Sequence, residues 1–168
     1  MNIKTIIISV FVVLALLVAL AWMGYKNTSS ALLSQDSNSA KSQLTASEIL
    51  HDFGTISMAN GKVDTTFKIT NPTSKGIVLS SIVTSCMCTN AYIVKNGRER
   101  GPFGMSGHGG LVPSADETIK TGESLDIKVV YDPNAHGPAG VGSIDRIVEL
   151  TDADGGMLHL EIKASVTP

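Results

Sequence analysis

Leu158-His159-Leu160-Glu161-Ile162-Lys163-Ala164-Ser165-Val166 alternates apolar and polar side chains almost without a break. A strand sends successive side chains to opposite faces, so Leu158, Leu160, Ile162, Ala164 and Val166 share one face and the residues between them the other. The stretch therefore predicts a half-buried β-strand closing the chain. Upstream, Leu125, Ile127, Val129 and Tyr131 repeat the pattern between the turn signals Thr121-Gly122 and Asp132-Pro133-Asn134. Further strands are expected over residues 49–56, interrupted at Gly54, over 63–69, 76–83 and 144–150, and as a short piece over 91–94. Asn60-Gly61, Asn71-Pro72 and Asp154-Gly155-Gly156 punctuate them as turns. About seven such strands, with no amphipathic helical period, predict an all-β antiparallel sandwich over residues 48–168. Its core should take Phe67, Ile69, Leu125, Ile127, Val129, Leu158, Leu160 and Ile162.

Ahead of the sandwich the chemistry changes. Residues 5–24 are almost wholly apolar, with Ser9 as the interior polar side chain and Lys4 and Lys26 on the flanks. About 20 such residues match the length of a membrane-spanning helix. Trp22 and Tyr25 lie at the outer end, where amphipathic aromatics favour the membrane boundary. Ala19-Leu20-Ala21 offers the alternative of a cleaved signal peptide, but the run is longer than a usual signal core. Residues 1–25 are thus expected to form an N-terminal membrane anchor, crossing the cell membrane once. Residues 26–47, rich in Ser, Asn, Ala and Gln, read as a flexible polar tether. The domain beyond should face the extracytoplasmic side. From residue 48 onward, 10 Lys+Arg stand against 14 Asp+Glu, a net charge of −4. No cluster of Lys and Arg forms a nucleic-acid footprint, and no nucleic-acid partner is expected.

The two cysteines fall in Ser85-Cys86-Met87-Cys88-Thr89, at the end of the 76–83 strand. If the pleat continues that far, both thiols project together and Met87 points the other way. Such a pair suits a reducible dithiol or two soft ligands for one metal; the plainer alternative is two small core residues. Met105 and His108 lie in Gly101-Pro102-Phe103-Gly104-Met105-Ser106-Gly107-His108-Gly109-Gly110, part of a long loop expected over residues 95–117. His136 lies in the Gly/Pro-rich turn Asn134-Ala135-His136-Gly137-Pro138. Thiolate, thioether and imidazole form a soft set suited to copper, Cu(I) above all. Cys86, Cys88, Met105, His108 and His136 are accordingly the candidate metal ligands.

Other chemistries are poorly served. The C-x-C spacing differs from structural zinc sites, and no second cysteine pair follows. Gly104-Met105-Ser106-Gly107-His108 approximates a nucleophile elbow without the strand–turn–helix context such an elbow needs. Asp152 and Asp154 read as a charged turn, His51 as structural, and His159 as an exposed strand residue. No catalytic residue and no enzymatic activity are expected.

His51-Asp52-Phe53-Gly54-Thr55-Ile56, Phe67-Lys68-Ile69-Thr70-Asn71, the cysteine stretch, Thr121-Gly122-Glu123, Val130-Tyr131-Asp132-Pro133 and Arg146-Ile147-Val148-Glu149-Leu150 follow one another as in the DUF1573 family. The chain resembles that family over nearly all of residues 48–166. The resemblance implies an immunoglobulin-like sandwich of the bacterial envelope, with an envelope protein as partner, and it lends little chemistry. Two features depart from the family pattern. Met87 stands where Gly is usual, and residues 95–117 replace a short connection. A bulky residue between the cysteines reduces the freedom to close an i, i+2 bridge, so a stable Cys86–Cys88 disulfide is not expected. The expected function is a membrane-tethered binding or structural domain without catalysis; the alternatives are a copper-binding envelope protein and a thiol–disulfide exchange protein.

Overall fold

The computed structural model describes residues 40–107 and 114–168. The expected membrane anchor, residues 26–39 of the expected tether, and His108 lie outside the described residues. Among the described residues, no helix is long and apolar enough to cross a membrane.

The strands are β1 (Thr45–Ala46), β2 (Leu50–Ser57), β3 (Val63–Thr70), β4 (Ile77–Thr84), β5 (Thr89–Lys95), β6 (Arg98–Phe103), β7 (Glu117–Ile119), β8 (Ser124–Tyr131), β9 (Gly142–Asp152) and β10 (Met157–Thr167). They form two five-stranded sheets, ordered β1-β3-β8-β5-β6 and β2-β10-β9-β4-β7. Among the described residues, ten strands replace the expected seven or so. The strand pairs are antiparallel except at one edge, where β2 runs parallel to β10 with Leu50 opposite Glu161 and Ser57 opposite Thr167.

The inner faces are the alternating sets read from the sequence. Phe67, Ile69, Leu125, Ile127 and Val129 from one sheet meet Leu158, Leu160 and Ile162 from the other, and all eight are buried. Each large side chain so placed contributes roughly 1.5–3 kcal/mol relative to exposure, and their burial drives the two sheets together. On β4 the alternation breaks. Two residues of β4, Leu79 to Ser81, span one step of β9, Asp152 to Thr151, and this bulge lets both Leu79 and Ile82 face the core.

The expected long loop over residues 95–117 is corrected in its first part. β6 folds back on β5, with Lys95 opposite Arg98 and Ala91 opposite Phe103. The turn is Asn96-Gly97, with φ of 53° and 72°. Two successive positive φ values are what a tight hairpin requires, and Asn-Gly supplies them with least strain. The hairpin escapes the periodicity test because Arg98, Glu99 and Arg100 all face solvent.

The boundary at residue 48 also moves. Leu44 is buried, β1 pairs with β3, and the Ser42 hydroxyl donates to Asp152 Oδ2 at 2.6 Å. Residues 40–47 are therefore part of the sandwich rather than of a tether. A polar segment is held here by one buried leucine and by backbone pairing, which composition does not register.

Candidate functional site

Strand β4 ends at Thr84, and the chain crosses to the other sheet through Ser85-Cys86-Met87-Cys88. The cysteines therefore do not stand on a pleat, as the sequence suggested. A turn brings them together: the Thr89 N–H donates to the Cys86 carbonyl at 3.1 Å. The Thr84 hydroxyl lies 3.1 Å from the Cys86 carbonyl and 3.0 Å from that of Thr89, and its single proton serves either. Both sheets pin the turn. The Ser85 N–H donates to Ile147 of β9 at 2.9 Å, and the Asp132 N–H, just past β8, donates to the Cys88 carbonyl at 2.8 Å.

Cys86 and Cys88 are joined by a disulfide, with Cα atoms 5.3 Å apart. The sequence argued against this bridge because of Met87. In the turn the Met87 side chain is 53 % exposed, so its bulk meets solvent and does not oppose closure. The two sulfurs differ in surroundings. Cys88 is only 1 % exposed, whereas Cys86 is half-buried.

Each sulfur has its own polar neighbour. His136 Nε2 lies 3.1 Å from Cys86 Sγ. The exposed imidazole is carried by the 132–137 loop, where Asp132 Oδ1 accepts from the Asn134 N–H at 2.9 Å and the Gly137 N–H donates to the Asn134 carbonyl at 3.0 Å. On the other side, Arg146 Nε–H donates to Cys88 Sγ at 3.3 Å, and an Nη of the same guanidinium donates to the Asp145 carbonyl at 2.8 Å. The Thr89 hydroxyl lies 3.7 Å from Cys88 Sγ. Tyr131 closes β8 beside this cluster; burial pushes its phenol up, and the Arg146 charge offsets part of that shift.

Of the five candidate ligands, Cys86, Cys88 and His136 converge, with their ligand atoms all within 4.8 Å of one another. Met105 follows β6, whose end reaches this region: the Thr84 N–H donates to the Gly104 carbonyl at 3.2 Å. Arg146, a donor to Cys88 Sγ, was not among the candidate site residues read from the sequence. Its signal was phase: it is in step with the inward Ile144 and Val148 of β9, a cation where an apolar residue is expected.

Residues 44–103 match the family described as protein of unknown function (DUF1573). The DUF1573 match spans β1 to β6 and contains the disulfide. No curated protein matches the chain. Among solved structures, a protein of unknown function from Porphyromonas gingivalis W83 shares the fold with a TM-score of 0.54 and 15% identity, over 80% of this chain and 51% of that one. This chain thus spans about half the length of that relative. The secreted serine protease VesC from Vibrio cholerae (TM-score 0.46, 15% identity, 79% of this chain, 25% of that one) and the YadV chaperone (0.47, 7%, 76% and 53%) are more distant in fold. At these identities the likeness is one of fold alone.

Proposed function

We propose that this chain is an extracytoplasmic, membrane-tethered, immunoglobulin-like domain that works as a thiol–disulfide exchange protein through Cys86 and Cys88, with no other catalytic machinery. The observation that carries the reading is the pair of hydrogen-bonding neighbours, His136 at Cys86 and Arg146 at Cys88. A disulfide kept only as a staple has no use for an imidazole at one sulfur and a guanidinium at the other. An i, i+2 bridge closes too short a loop to restrict the unfolded chain by much. The same two groups stabilise thiolates, and a thiolate is the species that exchanges. Oxidising compartments are where such pairs persist, which agrees with the expected placement outside the cytoplasm.

A second reading rests on the convergence of Cys86, Cys88 and His136. Once reduced, two thiolates and an imidazole form a soft three-ligand set for Cu(I), and the Met105 thioether is the candidate for a fourth position. In that case the disulfide is the closed, metal-free form of the same site.

A pulse of dithiothreitol on intact cells, followed by acid quench and alkylation, tests the exchange reading. The pair should open during the pulse and close again after washout. A pair that stays closed in the folded protein throughout the pulse would count against exchange.

A further inference from the structure

The two sulfurs of the bridge are unequal, and the inequality has a chemical consequence. Cys88 is sealed inside the sandwich end, at 1 % residue exposure, while Cys86 is half-buried and its Sγ lies 3.1 Å from Nε2 of the exposed His136. The cation at the site, Arg146, points its Nε–H at the sulfur of the buried Cys88.

We propose that exchange is polarised: an accessible aliphatic thiolate attacks Cys86 Sγ, and Cys88 leaves as a thiolate held by Arg146. This rests on the exchange reading above. In the first step a lone pair of the incoming sulfur forms a new S–S bond to Cys86 Sγ. The Cys86–Cys88 bond breaks, and its electron pair stays on Cys88 Sγ, facing the guanidinium. A second thiolate then attacks the incoming sulfur, releasing Cys86 Sγ with its electron pair beside His136. Two thiolates have become one disulfide, and the protein pair has taken up two electrons to become two thiolates, the protons of the incoming thiols having gone to solvent. In the reverse direction, Cys86 is the attacking thiol and His136 Nε2 accepts its proton.

The donors at the leaving sulfur favour this direction. From β9 comes Arg146; from β5 comes the Thr89 hydroxyl at 3.7 Å. From the end of β8 comes Asp132, whose N–H binds the Cys88 carbonyl while its carboxylate lies 3.6 Å from Lys62. A cation in direct contact with the leaving sulfur lowers the free energy of its thiolate, and better leaving thiolates depart faster.

The test uses the full-length oxidised chain and glutathione. The reaction is quenched early with N-ethylmaleimide, and molecules carrying one glutathione and one maleimide are sequenced by fragment ions. Glutathione is expected on Cys86 and maleimide on Cys88; glutathione on Cys88, or an even split, overturns the polarity. Arg146→Gln should slow the first attack on the order of threefold to tenfold and shift the equilibrium towards the disulfide, with Arg146→Lys recovering most of both. A folded Arg146→Gln protein with unchanged rate and equilibrium overturns the role of the guanidinium. If glutathione opens the pair at no concentration, the exchange reading fails and the polarity with it. Opening at the wrong sulfur refutes the polarity alone.

Discussion

Asp152 has a carboxylate only 7 % exposed as a residue, and the chain satisfies it from two directions. Its Oδ1 accepts from the N–H groups of Asp154 at 3.1 Å and Gly156 at 2.7 Å, and its Oδ2 accepts from the Ser42 hydroxyl at 2.6 Å. A side chain at Gly156 would place its Cβ 2.5 Å from Asp152 Oδ2 and 2.8 Å from Ser42 Cα, so the turn is built for glycine. Removing the carboxylate leaves buried donors without an acceptor. Asp152→Ala is expected to lose about 2–3 kcal/mol in urea unfolding, against less than about 0.5 kcal/mol for the exposed control His159→Gln. Equal effects at the two positions would refute this account of the turn. From sequence Asp152 was only a charged turn residue, because Ser42 lies 110 residues away and no local pattern announces the pair.

The strands that were legible are those whose two faces meet different surroundings. β8 and β10 are buried on one side and wet on the other, so alternation marks both. The cysteine turn misled for the opposite reason: a run of apolar residues pointed into it, and nothing in the run showed that the strand stops at Thr84. β6 was hidden because its partner supplies the pairing while its own side chains stay exposed until Phe103. β1 was hidden by its length of two residues. The segment leading into β1 has a direct test. Leu44 is 2 % exposed, and Leu44→Ala should cost about 2–4 kcal/mol of unfolding free energy, as for a core leucine. A change within about 0.5 kcal/mol would return residues 40–47 to the tether.

For the whole molecule, the sandwich explains why the site sits where it does. Two sheets must be joined by crossings at their ends, and the β4–β5 crossing carries the disulfide while the loop after β8 carries His136 and the inward phase of β9 carries Arg146. Both sulfurs and His136 were legible as residue types able to do soft-ligand or thiol chemistry. Their grouping was expected from residue type alone, and three of the five do converge; the Arg146 contact was not legible, since Cys88 and Arg146 are 58 residues apart. The central claim is that this crossing is a working disulfide and not a staple. The most direct measurement is an equilibrium titration of the purified protein in glutathione redox buffers, reading alkylated thiols by intact mass. Stabilisation of the reduced form by Arg146 and His136 predicts that the two cysteines become alkylated together, with a midpoint above about −300 mV, within reach of the glutathione couple. A pair that remains closed in the folded protein down to more reducing potentials would contradict the account.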